Sequence, residues 1–159
     1  MKPWVRVFAG AFGIVLAARS ETAILDCTDS AVREGSLWSF AFRMAIVQSW
    51  KIDGAKLFLH LQKGPVPKTL RLRAEPAGPE AKDLSKVAWI RTNVQKQPDG
   101  WLQIDLPPAL AARLAAHPDS RIVLRTPRDV VLDGRTANMR SPYLFVEGRR
   151  PPNPGSTGP

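Results

Sequence analysis

The side chains with the most evident binding chemistry are four arginines in two short segments. Arg71 and Arg73 are two positions apart, and Arg121 and Arg125 are four positions apart. Side chains at these spacings point to the same face of a β-strand. If the two strands are neighbours, the guanidinium groups form a cationic patch that can bind carboxylates or sulfates bidentately. The alternative is a charged, solvated strand face that discourages aggregation between strand edges.

A second candidate surface is centred on Trp101. Gln103 and Asp105 follow it at every second position, so the three side chains share one face of a predicted strand. Sugar rings stack their C–H faces on aromatic rings, and neighbouring polar groups fix their orientation. Trp101 and Gln103 are therefore candidate ligand-binding residues. Trp38 shares its face with Phe40 and is expected in the core instead.

The sequence contains no recognisable catalytic or metal-binding motif. Cys27 is the only cysteine, so a disulfide framework within the chain is excluded and a packed thiol is expected. Neither His60 nor His117 has metal-ligand spacing to the other or to Cys27. Four carboxylates could offer oxygen ligands to calcium, but no Asp-x-Asp-x-Asp loop arranges them: Asp26, Asp29, Asp129 and Asp133. We predict a protein that is not an enzyme and has no cofactor.

The chain is strongly basic. It has 23 Lys and Arg residues against 14 Asp and Glu residues, a net charge of +9. Such a surplus favours polyanions as partners, but the basic residues are scattered, which does not indicate a dedicated nucleic-acid arm. No apolar run reaches the roughly 20 residues that a membrane-spanning helix requires. The charge alone does not choose among nucleic acid, anionic lipid and acidic polysaccharide. Together with the features described below, it leads us to expect an acidic polysaccharide or another cell-surface component, with no nucleic acid and no membrane span.

The two ends of the chain differ from its middle. Residues 1–22 combine a positive start, an apolar stretch and a polar end, as in a signal peptide with a cleavage site after Ala17. This predicts a secreted, periplasmic or cell-surface protein; the alternative is a buried N-terminal helix or strand. Residues 148–159 are rich in Pro and Gly and are expected to be a disordered tail. Residues 23–147 then form a single domain.

Period-two alternation of apolar residues dominates the middle of the chain and predicts strands. The predicted strands are residues 37–44, 56–62, 69–74, 101–106, 121–125 and 143–146. The second and third are expected to pair as a hairpin across the Gly64–Pro65 break. Residues 108–116 are Ala-rich, open with proline and end before His117–Pro118, which predicts one short helix. Together these elements predict an all-β protein, a two-sheet jelly-roll-like sandwich with one short helix.

Several of these segments follow one another as in a known family. The residues concerned are Ile52–Leu59, Trp101–Leu106, the helix at 110–114, Ile122–Leu124, Pro142–Val146 and Trp89. Their order resembles the DNRLRE-type domain, a secreted jelly-roll β-sandwich related to the carbohydrate-binding modules of surface proteins. The resemblance implies the same fold and an extracellular location.

Our hypothesis from the sequence is a non-catalytic, exported binding or structural module that contacts acidic cell-surface polysaccharide through arginines and a tryptophan. A second hypothesis is a structural surface or assembly protein that self-associates, which requires an apolar patch or an open sheet edge. A third is a polysaccharide lyase or hydrolase, which requires a concave site with clustered His, Arg, Tyr or carboxylate groups.

Overall fold

A computed structural model of the chain describes residues 19–33, 35–77 and 87–152. These residues form ten strands: β1 (Ser20–Arg33), β2 (Leu37–Arg43), β3 (Lys51–Lys63), β4 (Thr69–Pro76), β5 (Ile90–Asn93), β6 (Gln95–Lys96), β7 (Trp101–Leu106), β8 (Asp119–Arg125), β9 (Val131–Leu132) and β10 (Tyr143–Arg149). The helix α1 spans Pro108–Ala115. The all-β fold with one short helix that the sequence predicted is confirmed. None of the helices in the described ranges has the length and apolar character needed to cross a membrane.

Strand β1 joins two antiparallel sheets by bending between them. Its first half pairs with β10, which continues to β3, β7 and β6; we call this the first sheet. Its second half pairs with β2, which continues to β8, β4 and β5; we call this the second sheet. The register shifts between Cys27 and Asp29, where a β-bulge turns the strand.

The far edges of the two sheets are also joined, so the fold is nearly a closed barrel. Val94 alone separates β5 of the second sheet from β6 of the first. Its backbone N–H donates to the carbonyl oxygen of Lys68 at 2.9 Å, which holds the chain at the crossing. Closure leaves few unpaired edges, which protects a sheet protein from pairing with other chains.

The alternating apolar residues of the strands fill the space between the sheets. Leu57 and Leu59 of β3 and Leu70 and Leu72 of β4 are at most 2% exposed, as the alternation predicted. Each such side chain stabilises the fold by about 1.5–3 kcal/mol through burial. Trp38 is also buried, in agreement with its predicted core position. The residues between them on each strand face outward, and those that are exposed are available for binding.

Helix α1 covers one end of this core. Leu110 and Leu114 are one turn apart and both fully buried. Pro108 occupies the first turn, where its missing N–H is tolerated. The hydroxyl of Ser120 donates to the carbonyl oxygen of Leu114 at 2.7 Å and so caps the helix end.

The predicted hairpin between β3 and β4 is wrong. β3 pairs with β10, β7 and β9, whereas β4 pairs with β5 and β8, so the connection crosses from the first sheet to the second. Alternation identifies the inner face of a strand but not its neighbour, which explains the error. Gly64 makes the crossing possible: its φ is +104°, and a Cβ there would overlap the carbonyl of Asp129.

Strand β1 was not predicted from the sequence. Its inward side chains include the small Ala23 and Cys27, and the bulge interrupts its alternation, so the apolar pattern is weak. Residues 20–22 pair with residues 147–149 of β10, so strands include positions assigned to both terminal segments. The predicted signal sequence lies outside the described residues up to position 18, and so does the predicted tail from position 153.

Candidate functional site

The four arginines singled out from the sequence lie on the outer face of the second sheet. β4 and β8 are hydrogen-bonded neighbours, as a shared patch requires, and Arg71 stands directly opposite Arg125. Arg73 lies two residues further along β4, and Arg121 stands opposite Glu75. The sheet therefore brings these arginines onto one surface, but gives them different partners.

A fifth arginine, Arg91 of β5, extends the arrangement. It stands opposite Arg71 on the side away from Arg125, so three exposed arginines lie side by side across β5, β4 and β8. We call Arg91, Arg71 and Arg125 the arginine row. Neighbouring strands are only about 4.7–4.9 Å apart. Like charges directly opposite one another destabilise a sheet, so this row is unfavourable for folding alone.

The arginine row lines an open pocket of about 360 Å³. Thr69 and Thr126 also line this pocket, and the hydroxyl of Thr126 donates to the backbone oxygen of Ser36 at 3.4 Å. The ion pairs found among the described residues involve other arginines, namely Arg33, Arg73, Arg121 and Arg149. Among the described residues, therefore, no carboxylate forms an ion pair with the row, and its positive charges lie next to a space that can hold an anion.

Two contacts hold the outer members of the row in place. The Nε of Arg91 donates to the hydroxyl oxygen of Thr69 at 3.2 Å. The guanidinium carbon of Arg125 lies 5.3 Å from the ring centre of Trp89, within range of a cation–π contact. Ordering these flexible side chains before a ligand arrives lowers the entropy lost on binding.

Arg73 and Arg121 are engaged with carboxylates. Nε of Arg73 lies 2.7 Å from Oε1 of Glu75, although its N–H does not point at that oxygen, and Arg33 approaches the same carboxylate at 3.9 Å. Glu75 is only 3% exposed. Arg121 pairs with Asp29 at 3.7 Å. Arg73 and Arg121 thus have carboxylate partners among the described residues, unlike the arginines of the row.

Trp101 and Gln103 lie on the other sheet. Both are half-buried on the outer face of β7, and no hydrogen bond, ion pair or ring contact within the described residues joins them to the four arginines. The indole of Trp101 meets the rings of His60 and Tyr143 edge-on, at 5.3 and 5.5 Å between ring centres. Tyr143 also stacks on Phe58 at 4.7 Å. We call Phe58, His60, Trp101 and Tyr143 the aromatic cluster.

His60 anchors this cluster through both of its ring nitrogens. Since a carbonyl oxygen can only accept, Nε2 donates to the backbone oxygen of Asp99 at 2.8 Å. Nδ1 lies 2.6 Å from Oδ2 of Asp133, and this second hydrogen bond requires a further proton on either the ring or the carboxyl group. His60 and Asp133 are 7% and 8% exposed. The pair ties the turns that contain Asp99 and Asp133 to the end of β3, which fixes the histidine ring against Trp101.

Gln103 belongs to a chain of hydrogen bonds beside the cluster. Gln97 donates to its side-chain oxygen at 3.0 Å, and its amide nitrogen donates to Asp105 at 2.9 Å. Gln95 donates to the other oxygen of Asp105 at 3.1 Å. These polar groups satisfy one another, so their order does not depend on a ligand.

The remaining chemically active groups are dispersed. Burial raises the pKa of the Cys27 thiol to about 11, which makes it a poor nucleophile. Burial also raises the pKa of Tyr143. Of the acids considered for calcium, Asp133 binds His60 and Asp29 faces Arg121. The part of the chain that the structure describes contains no group of three His, Cys, Asp or Glu side chains able to share a metal ion.

Sequence reasoning missed Arg91 and the partners of Trp101, and it identified Trp89 as part of the family resemblance but not as a neighbour of the arginines. β5 has only four residues, so its alternation is too short to stand out. A signal did exist for the aromatic cluster. The alternation that buries Leu57 and Leu59 also places Phe58 and His60 on the outer face, although their proximity to Trp101 depends on a strand pairing that no local pattern reveals.

The sequence matches no protein-family model and no curated protein at a significant level. The likeness to the DNRLRE-type domain thus stays a prediction from the spacing of its motifs.

Proposed function

We propose that this protein is a non-catalytic, exported binding module that contacts acidic polysaccharide at the cell surface through the arginine row. The observation that carries the proposal is the alignment of Arg91, Arg71 and Arg125 in register beside one open pocket. Such an arrangement opposes folding, because it holds like charges together. A bound polyanion would neutralise that repulsion, so the row is favourable in the complex although it is unfavourable in the free protein.

The charge of the whole chain supports a polyanionic partner. A net charge of +9 raises the local concentration of anions and speeds their association at low salt. Acidic polysaccharide is favoured over nucleic acid because the row is short and confined to one sheet face. Competition by duplex DNA provides the test of that choice.

The absence of catalysis is part of the proposal and follows from the chemistry of the row. Guanidinium groups remain protonated at neutral pH and donate hydrogen bonds, so they bind oxyanions but do not take up protons. Incubation with a polysaccharide should therefore leave its chain length unchanged. Shortening of the polymer would favour a lyase or hydrolase.

Export is supported by the signal-like pattern of residues 1–22. Because β1 begins at Ser20, cleavage after Ala17 leaves the first strand intact. The expected result is a mature chain that starts at Ala18 and is recovered outside the cytoplasm. Recovery of the full-length chain from the cytoplasm alone would contradict export.

Affinity electrophoresis tests the binding proposal. Gels containing alginate, pectin or sulfated dextran at low salt should retard the protein, and retardation should fall with added salt. The triple variant Arg71→Ala, Arg91→Ala, Arg125→Ala is expected to lose at least about tenfold in affinity, which corresponds to one charge-assisted hydrogen bond or more.

The matched control is the triple variant Arg113→Ala, Arg140→Ala, Arg150→Ala. These arginines are exposed and lie outside the pocket, and their removal lowers the net charge by the same amount. Equal losses in the two triple variants would show that only overall charge matters. Lack of retardation by every polyanion would contradict the proposal, and stronger competition by DNA than by polysaccharide would favour a nucleic-acid ligand.

A further inference from the structure

The arginine row presents three guanidinium groups to a single pocket, not one group to each of three separate sites. Arg71 is central, with Arg91 and Arg125 on either side in register. We infer that the pocket binds a sulfate ester, so that the ligand is a sulfated polysaccharide and not a polyuronate. This inference rests on the proposed function and specifies the ligand of the same site.

The number and geometry of acceptor oxygens favour sulfate. A carboxylate is planar and has two oxygens, which one guanidinium fork or two single donors already satisfy. A sulfate ester has three terminal oxygens arranged around a tetrahedral centre, and they accept hydrogen bonds from different directions. The three arginines that line one depression can donate to three oxygens, whereas a carboxylate offers two.

A hydroxyl group of the pocket adds a further donor. The oxygen of Thr69 accepts the N–H of Arg91 at 3.2 Å, which leaves its own O–H free to donate. Thr69 lines the pocket together with the row. A tetrahedral anion has enough lone pairs to accept this hydroxyl in addition to the guanidinium groups, whereas a carboxylate bound by two arginines has fewer left.

The order already present in the pocket also suits a compact anion. Thr69 holds Arg91, and Trp89 covers the guanidinium of Arg125 at 5.3 Å. These contacts restrict the outer arginines, and Arg71 stands between them. An anion that accepts hydrogen bonds on several sides gains more affinity from such restricted donors than an anion bound on one side, because fewer side chains lose entropy on binding.

The test compares polymers of matched charge density in affinity electrophoresis: sulfated dextran, alginate, polygalacturonate and inorganic polyphosphate. We expect sulfated dextran to retard the protein at about tenfold lower concentration than the two polyuronates, the equivalent of one additional charge-assisted hydrogen bond. Free sulfate should compete for the same site more effectively than acetate at equal ionic strength.

The variant Arg71→Lys separates charge from geometry. Lysine keeps the positive charge but has no planar fork, so we expect the preference for sulfated dextran to fall while general retardation remains. Thr69→Val provides a second variant, which keeps the shape and the charge of the pocket and removes the hydroxyl that holds Arg91 and can donate to the anion. It should reduce the preference by a few fold.

The outcomes distinguish the inference from the proposal beneath it. Equal retardation by sulfated dextran and polyuronates, or a preference for polyuronates, would overturn the sulfate inference and leave polysaccharide binding standing. Strongest binding to polyphosphate would overturn it too, since the tetrahedral anion would then come from another polymer. Failure of every polyanion to bind would overturn both.

Discussion

The outer faces of the two sheets use polar residues in opposite ways. In the aromatic cluster of the first sheet, His60 has a partner for each ring nitrogen, and the neighbouring Gln103 belongs to a chain of hydrogen bonds between side chains. In the arginine row of the second sheet, like charges stand next to one another beside an open pocket. The polar groups of the first surface have partners within the protein, whereas the charges of the second have no ion-pair partner among the described residues.

This difference separates stability from binding. Groups that satisfy each other strengthen the fold, and their removal leaves a buried partner unsatisfied. Groups that repel each other weaken the fold slightly and are suited to a ligand of opposite charge. We therefore expect substitutions in the aromatic cluster to change stability and substitutions near the row to change polyanion binding.

The largest expected effect is on stability, at His60. The variant His60→Ala leaves Asp133 buried without its partner and removes a ring that supports Trp101. We expect it to lower the free energy of unfolding by about 3–5 kcal/mol, as for other broken buried pairs. Urea denaturation measures this loss.

The matched control is His117→Ala, since His117 is partly exposed. Its effect on the free energy of unfolding should stay below about 1 kcal/mol. Equal effects of the two variants would show that the His60–Asp133 pair contributes nothing special. Loss of polyanion retardation in folded His60→Ala would break the separation between the two surfaces.

The next effect changes stability and binding in opposite directions. Glu75→Gln removes the buried negative charge that lies between Arg73 and Arg33. We expect a loss of about 1–3 kcal/mol in the free energy of unfolding, because the largely buried guanidinium of Arg73 loses its negatively charged partner. Because the second sheet gains one net positive charge, retardation by polyanions should increase.

Glu147→Gln makes the same change in charge on the first sheet, at an exposed position. It should leave stability unchanged and increase retardation less than Glu75→Gln. If Glu147→Gln increased retardation as much, the position of the charge would not matter. Urea denaturation and affinity electrophoresis on the same samples make the comparison.

A smaller pair of effects compares two tryptophans. Trp89→Leu removes the ring that lies 4.5 Å from the guanidinium carbon of Arg73 and 5.3 Å from that of Arg125. Such a contact is worth about 0.5–1 kcal/mol at an exposed site, and its loss should weaken polyanion retardation by a few fold. Trp101→Leu removes ring contacts with His60 and Tyr143 and should lower the free energy of unfolding by about 1–2 kcal/mol without changing retardation. The reverse pattern would return Trp101 to the binding surface.

Much of the fold was predictable because burial of one strand face requires apolar residues at every second position. The alternation around Leu57, Leu72 and Ile104 identifies strands and their inner faces, and the prolines at 107–108 and 118 mark the ends of α1. The same alternation says nothing about which strands are neighbours, since pairing depends on residues far apart in the chain. The hairpin prediction was wrong for this reason.

The candidate site was predictable to the same extent. That Arg71 and Arg125 share an outer face follows from their positions within β4 and β8. That Arg91 completes the row, or that Trp101 lies on the other sheet, follows only from the sheet order. Local spacing therefore identifies which side chains reach solvent, and topology decides which of them act together.

The smallest expected effect concerns Tyr143 of the aromatic cluster, whose hydroxyl has a pKa that burial raises. Burial raises the pKa of Tyr143 above its ordinary value of 10.0, because the anion is poorly solvated beside the other rings. Above pH 10 the tyrosine ionises in the unfolded chain before it ionises in the folded chain. This ionisation stabilises the unfolded state, so the free energy of unfolding decreases. The contribution of Tyr143 to the free energy of unfolding is fully present below pH 10 and declines as the pH rises through the pKa of the folded state.

Tyr143 is the only tyrosine of the chain, so near-ultraviolet absorbance follows its ionisation directly. Tyr143→Phe should show a shallower loss of stability above pH 10 and unchanged polyanion retardation at neutral pH. Native titration at the ordinary value would mean that the cluster is open to water, and the contrast between the two surfaces would then be weaker.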